Sequence, residues 1–436
     1  MTHLFDSLDS PAPDKILKLM AQFRLDNRLD KVDLGVGVYR DVDGNTPIFA
    51  AVHDAERQIW SRQKTKVYTS IAGDLNFRTA LLQLALAESV PLERFASVAT
   101  PGGTGALRQG LELVKRAHEN VTIWLPDQTW ANHPALINAV GLKTRNYTYY
   151  DPSTGRAHDS ALLESLAELA PGDVVLLHGC CHNPTGADMP GTTWTALTDL
   201  LEQSGAIPFV DLAYQGLGVG IDKDVAGMRE MFSRLPEAII SISCSKNFGL
   251  YRERAGVIAV LCADSIGLSR SQATLESLNR LTYAFPPDHG ARIVTEILYD
   301  TKLRNSWELE LKQIRMRIAN LRLLFAEALR ESTGEDRWNW IATGAGMFSL
   351  LPLSSTQIAQ LRVEHGIYLI EDGRTNFAGL TPEVIPRVAE AVAAMLKKPA
   401  LGLPSPSNDA PGSPEASDQS PEPASEAPEA SDVAQG

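Results

Sequence analysis

The chain has 436 residues, 44% of them hydrophobic and 21% charged, with four cysteines and a formal charge of −13 at neutral pH. That is an ordinary globular composition, long enough for two domains or for one large α/β domain with a smaller one attached. It excludes a disulfide framework and a basic stripe for nucleic acid, and no apolar run approaches the roughly 20 residues that a bilayer span needs.

The charge is unevenly placed. From Leu401 to Gly436 there are seven acids and no Lys or Arg, which leaves −6 on residues 1–400. The same 36 residues hold seven prolines among Ser, Ala and Glu, so this stretch is expected to stay disordered. The first residues have neither a basic n-region nor an apolar h-region, and the cysteines Cys180, Cys181, Cys244 and Cys262 form no C-x-x-C pattern. The expectation is a cytoplasmic protein that binds no metal, no nucleic acid and no membrane.

In chain order, residues 1–13 read as an extended arm held off helix by Pro11 and Pro13. Asp14–Leu25 reads as an amphipathic helix capped by Asp14. Val32–Tyr39 reads as a short strand whose glycines mark either a bulge or a close approach of backbone. Ala51–Lys64 reads as helix, and a second long helix ends at Glu88. Ser97–Ala99 is a short strand leading into Pro101-Gly102-Gly103-Thr104-Gly105 and a helix to about His118. Glycines before a helix N-terminus expose N–H groups and the positive dipole end, which suits a phosphate; they also occur as plain tight turns.

From there strands and helices alternate. Val121–Leu125, Val174–His178 and Ile207–Asp211 read as strands, with helices over Ala131–Ala139, Gly191–Gln203 and after Asp224. This alternation predicts a mostly parallel sheet between helices, with ligands at the C-terminal strand ends. Trp130, His133, His178, Asn183, Asp211 and Tyr214 all stand at or just beyond such ends. An aspartate closing an apolar strand is either a cap for the next segment or the partner of a cation.

Ser241–Arg254 carries the chemistry. The apolar run Ala238–Ile242 precedes it and Gly256–Leu261 follows, so Lys246 sits just past a buried strand. Taken alone, the stretch fits a surface lysine beside a salt-bridging arginine. A desolvated lysine there is instead a usable amine nucleophile toward an aldehyde cofactor, with Ser243 and Arg254 as phosphate partners. Glu308–Arg330 reads as a long connecting helix. Ile341–Leu353 and Tyr368–Leu380 look strand-like, with Arg374 in a loop, and Glu383–Lys397 reads as a last amphipathic helix.

A lysine, a glycine-rich phosphate seat, a strand-end acid, a loop aromatic and a Ser/Arg pair are the parts that pyridoxal 5'-phosphate needs. The motifs V-D-L-G-V-G-V-Y, G-G-T-G-A-L-R, T-W-A-N-H, C-C-H-N-P-T-G, D-L-A-Y-Q-G and S-C-S-K-N-F-G-L-Y-R-E-R occur in order. Over about residues 4–396 the chain resembles the class I, fold-type I aminotransferases of the aspartate/aromatic branch, most nearly the bacterial aromatic amino acid aminotransferases.

The resemblance implies a large domain over 45–310 with a mostly parallel seven-stranded sheet, and a smaller α+β domain from 14–44 and 311–397. The arm at 1–13 and the tail at 398–436 flank them. It implies a catalytic set of Lys246, Asp211 and Tyr214. Lys246 would hold the cofactor and carry the proton shift, and Asp211 would pair with the pyridine nitrogen, backed by His133 and His178. Asn183 and Tyr214 would bind the phenolic oxygen, and Trp130 would stack on the ring. Gly103, Thr104, Ser243 and Arg254 would hold the phosphate, with Tyr68 from the neighbouring subunit. For the substrate, Arg374 would take the α-carboxylate near Gly37, Trp130 and Asn183, and Arg280 of a second subunit the distal carboxylate. The site would thus be shared across a homodimer. The activity implied is ping-pong transfer of the amino group of Phe, Tyr, Trp, Asp or Glu to 2-oxoglutarate or oxaloacetate.

One departure bears on specificity. Where strict dicarboxylate enzymes of the family carry Asn-Tyr-Ser-Asn before a Pro-Pro pair, this chain has Thr282-Tyr283-Ala284-Phe285. Fewer polar groups there favour dual aromatic and dicarboxylate use over the alternative, an aspartate aminotransferase restricted to dicarboxylates.

Overall fold

A computed structural model describes residues 3–9 and 14–398. Pro11, Pro13 and the acidic tail lie outside the described residues. Within the expected arm, Leu4–Ser7 forms one 3-10 turn rather than extended chain.

Asp14 caps the helix Lys15–Leu25, its carboxylate accepting the N–H of Ile16 and of Leu17 at 2.9 Å each. Strand β1 (Val32–Asp33) is far shorter than the Val32–Tyr39 pattern predicts. Asp33 Oδ1 accepts the N–H of Gly35 at 3.0 Å and of Val36 at 3.3 Å, which turns the chain out of the strand. Helices Ala50–Arg62 and Leu75–Leu86 follow, then β2 (Phe95–Pro101), the helix Gly102–Ala117, β3 (Thr122–Pro126), the helix Asn132–Val140 and β4 (Lys143–Tyr147). A small hairpin of β5 (Tyr150–Asp151) and β6 (Arg156–Ala157) and the helix Asp159–Ser165 precede β7 (Val174–His178). The helix Gly191–Ser204, β8 (Ile207–Leu212), the helix Ala226–Arg234, β9 (Ala238–Ser243) and β10 (Ala255–Leu261) come next. Helices Ser265–Thr282, His289–Tyr299 and Thr301–Thr333 lead to the helix Asn339–Thr343, β11 (Phe348–Leu350) and the helix Ser355–His365. The described chain closes with β12 (Ile367–Tyr368), β13 (Arg374–Asn376) and the helix Ile385–Lys397.

Two expectations near the C-terminus are corrected. Ile341 lies in a helix, and only Phe348–Leu350 of the Ile341–Leu353 run is strand. Arg374 opens β13 instead of sitting in a loop, because its backbone pairs with Leu350.

The main sheet has seven strands in the order β2-β10-β9-β8-β7-β3-β4, and only β10 runs antiparallel to its neighbours. Its strands are near-continuous apolar runs because both faces are covered. Val175, Leu177, Val210, Ile240 and Val257 face one core, whereas Val174, Leu176, Phe209, Ile239 and Ile258 face the other. Alternation with a period of two sends neighbouring residues to opposite faces. A third core gathers Val32 and Leu34 with Leu321, Phe325, Ile358, Phe377, Val388 and Val392. No helix among the described residues is long and apolar enough to cross a membrane.

Candidate active site

Strand register assembles the polar centre. Parallel pairing sets His178 of β7 opposite Asp211 of β8, and Asp211 opposite Ser241 of β9. Asp211 is buried, yet both its oxygens are engaged: Oδ1 accepts from Ser241 Oγ at 2.9 Å, and Oδ2 lies 3.2 Å from His133 Nε2. Thr129 Oγ1 bridges behind them, 2.7 Å from His133 Nδ1 and 3.1 Å from His178 Nε2. Burial alone raises a carboxyl's pKa, but His133, His178 and Ser241 outweigh it and hold Asp211 below its ordinary value. Burial, reinforced by His133, pushes His178 down to about 3, so its ring stays neutral. The result is a buried acid held in its ionised form by the hydrogen bonds of His133 and Ser241.

Lys246 follows β9 in a tight turn, its Nζ 4.8 Å from the centre of the Tyr214 ring. Burial pushes its amine down to about 8, helped by Arg254 and Arg374 and opposed by Asp211. Beside it the first turn of the helix Gly102–Ala117 faces Ser243 and Arg254. A Cβ on Gly102 would sit 2.6 Å from Arg254 Nη2, and one on Gly103 2.9 Å from Ser243 Cβ. Only glycine lets the helix end, the hydroxyl and the guanidinium converge so closely. Arg254 itself adopts φ 54°, a left-handed conformation that costs a non-glycine residue about 1–2 kcal/mol. It donates to Ser245 Oγ and to Tyr251 O at 3.3 Å each, and among the described residues it has no carboxylate partner.

Arg374, next to Asn183, is buried without an acid. Its Nη2 donates to Gly35 O at 2.9 Å and its Nη1 reaches Asn183 Oδ1 only at 3.5 Å, while Nε has no partner. The Phe348 ring lies 4.8 Å from the guanidinium and would be 3.2 Å from a Cβ on Gly37. A cavity of about 230 Å³ is lined by Gly37, Gly103, Thr104, Trp130, Asn183, Asp211, Tyr214, Ser243, Lys246 and Arg254. His178 joins that wall, and His133 stands behind Trp130 with their rings 5.3 Å apart.

Arg374 is not on that wall but borders it through Asn183, and two expected residues stay away altogether. Tyr68 is 79% exposed and stacks on Phe285 at 4.7 Å, and Arg280 lies 5.8 Å from that same ring. Both occupy the outer face of their own chain. Conversely, Ser241, Ser245, Thr129 and Tyr251 take part in the centre although the sequence stretches that hold them assign them no role. Their placement comes from cross-strand register and from the turn after β9. Cys180, Cys181 and Asp224 bring ligand atoms within 4.8 Å of one another. The Asp224 oxygens there are taken by the N–H groups of Gly216, Gly218, Val219 and Gly220, which makes Asp224 the anchor of that loop.

A desolvated amine, an ionised acid and two acid-free arginines suit an anionic cofactor and a carboxylate substrate. Comparison with known proteins agrees. The family model for aminotransferase class I and II matches residues 29–392. The chain is 44% identical over 389 residues to the aromatic-amino-acid aminotransferase of Paracoccus denitrificans, covering 89% of this chain and 99% of that protein. It is 39% identical over 396 residues to the aspartate aminotransferase of Haemophilus influenzae, covering 90% and 100%. Among solved structures, the Burkholderia pseudomallei aromatic-amino-acid aminotransferase covalently bound to pyridoxal phosphate superposes with a TM-score of 0.88. That pair shares 35% identity and covers 91% of this chain and 100% of the other.

Proposed function

We propose, from the premise that this chain belongs to the class I and II aminotransferases and is a pyridoxal 5'-phosphate-dependent transaminase, that it serves both aromatic amino acids and the dicarboxylates aspartate and glutamate. The acceptors are 2-oxoglutarate and oxaloacetate. The observation behind the transaminase premise is the pair of acid-free arginines, Arg254 and Arg374, both near enough to Lys246 to lower its pKa.

The residues fit the cofactor. The glycine cradle at Gly102 and Gly103 leaves room for a phosphate between a helix N-terminus, Ser243, Thr104 and Arg254. Lys246 would hold the aldehyde carbon, Asp211 the ring nitrogen, Asn183 and Tyr214 the phenolic oxygen, and Trp130 the ring face. Bound there, pyridoxal 5'-phosphate supplies the electron sink that weakens bonds at the substrate α-carbon.

The protein's own groups then divide the work. Arg374 forks onto the α-carboxylate and orients the α C–H bond, with Gly37 closing over it. Lys246 Nζ, an amine whose pKa lies near 8, accepts the α-proton and returns it. Asp211 stays ionised to hold a proton on the opposite end of the ring. Tyr68 and Arg280, exposed on their own chain, are proposed to enter the site of a second copy in a homodimer. The exposed Trp60, Val67 and Leu281 support such a face. The third core, with residues 14–44 and 311–397, is proposed as a small domain against the large one at 45–310, and the enzyme as cytoplasmic.

Dual specificity rests on Thr282, Ala284 and Phe285 beside Arg280, where the strict dicarboxylate pattern has more polar groups. Half-reactions test it. The holoenzyme mixed with L-aspartate or with L-phenylalanine is expected to pass to the amine form of the cofactor with both, read from its near-ultraviolet spectrum. Conversion by aspartate alone would establish the restricted alternative.

A further inference from the structure

Beneath the exposed Tyr68–Phe285–Arg280 cluster lies a buried polar knot that the reaction does not use. Gln109 and Asn279 are 1% and 0% exposed. Gln109 Nε2 lies within hydrogen-bond reach of Asn279 Oδ1 at 3.2 Å, Thr282 Oγ1 at 3.0 Å and Tyr283 OH at 3.3 Å. The Tyr283 hydroxyl donates to Asn279 Oδ1. Asn279 Nδ2 donates onward to Ile71 O at 2.9 Å and to Ala99 O at 3.2 Å.

These contacts join four elements. Gln109 belongs to the helix whose first turn holds Gly103 and Thr104. Asn279 immediately precedes Arg280 at the end of Ser265–Thr282. Ile71 sits in the loop between helices Ala50–Arg62 and Leu75–Leu86 that also carries Tyr68, and Ala99 belongs to β2. Apolar side chains of the same volume would hold these elements together equally well, since buried polar groups return little net stability. Directional bonds add a fixed rotation and height for the helix end, and so for the root of Arg280. Arg280 makes no ion pair among the described residues and its guanidinium meets only the Phe285 ring at 5.8 Å, so its root is the part that directional bonds set.

We infer that Gln109, Asn279 and Tyr283 form a positioning network that fixes where Arg280 and Tyr68 reach, and thereby sets dicarboxylate use relative to aromatic use. The inference rests on Arg280 receiving the distal carboxylate, as proposed above. It also ties the phosphate seat of one site to the residues that the same chain lends to the other.

The test compares Gln109→Met and Tyr283→Phe with Arg280→Leu as reference. For each holoenzyme, half-reaction constants are measured for L-aspartate and L-phenylalanine, together with calorimetric binding of maleate and of hydrocinnamate and the melting temperature. Removing the Gln109 amide is expected to weaken aspartate and maleate about ten-fold, as loss of one or two hydrogen bonds would, with phenylalanine and hydrocinnamate within about two-fold. Tyr283→Phe deletes one oxygen and keeps the ring, and a smaller loss of the same selectivity is expected. If Gln109→Met lowers the melting temperature, Tyr283→Phe decides alone. Equal losses for both substrates, or none, with Arg280→Leu still selective against aspartate, would overturn the network's role. An Arg280→Leu protein that treats both substrates alike would instead remove the reading of Arg280 itself.

Discussion

Two buried arginines lie on neighbouring parts of the molecule, neither with a carboxylate partner among the described residues. Arg322, 1% exposed, has a partner on every nitrogen: Nε donates to Ile341 O at 2.9 Å, Nη1 to Gly346 O at 3.2 Å and Phe348 O at 2.9 Å, and Nη2 to Ser349 Oγ at 2.7 Å. Arg374, 7% exposed, has one good bond, one at the limit of reach, and an Nε with none. Burial pushes both below the usual guanidinium range, Arg322 to about 10. Burial therefore does not separate structure from function here. The unused donors do, because a fork with empty N–H groups is arranged for an anion that the chain itself does not provide.

The contrast has measurable consequences. Arg374→Leu is expected to lower kcat/KM about a thousand-fold for aspartate and phenylalanine alike, since both share the α-carboxylate. Its melting temperature in the cofactor-free protein should stay level or rise, because a poorly compensated buried charge is removed. A large drop in melting temperature would make Arg374 a structural residue like Arg322. Arg322→Leu is expected to do the reverse. It strands three carbonyls and a hydroxyl at a cost of about 3 kcal/mol, visible in denaturant unfolding. Turnover should fall only a few-fold, through the loosening of β11 and of the Phe348 ring under Arg374.

The smallest effect concerns the third cation in this region, which unlike an arginine can shed its proton. Lys246 has an ordinary value of 10.5 in the unfolded chain and about 8 in the folded one. Between those pH values the unfolded chain holds a proton that the folded one has released. The Lys246 contribution to stability of the cofactor-free protein therefore rises from pH 8 to pH 10.5 and is least favourable below 8. Lys246→Met should abolish that slope in thermal melts across this window. A slope unchanged by the substitution would mean that the amine is not desolvated.

Much of this was legible from local pattern. Continuous apolar runs bounded by Gly, Pro and Asp place β7, β8 and β9, and the strand-end rule then marks Asp211 and Lys246. Other elements carried no such signal. Lys143–Tyr147 is polar and mostly exposed, and it is a strand because its backbone pairs with Thr122–Pro126 and Arg145 lies over the Trp124 ring at 4.4 Å. Val32–Tyr39 looked like a strand and is turned aside after two residues by its own Asp33 carboxylate.

The amino-acid sequence by itself determined the alternation of elements, the family, the amine and acid at the strand ends, and the glycines that admit a phosphate. These follow from side-chain periodicity and from backbone freedom, which act within a few residues. Only the tertiary structure decided that Ser241 and Thr129 complete the Asp211 centre, that Arg322 is satisfied while Arg374 is not, and that Asn279 roots Arg280. Those outcomes depend on register between strands and on hydrogen bonds between residues far apart in the chain, whose geometry no local window contains.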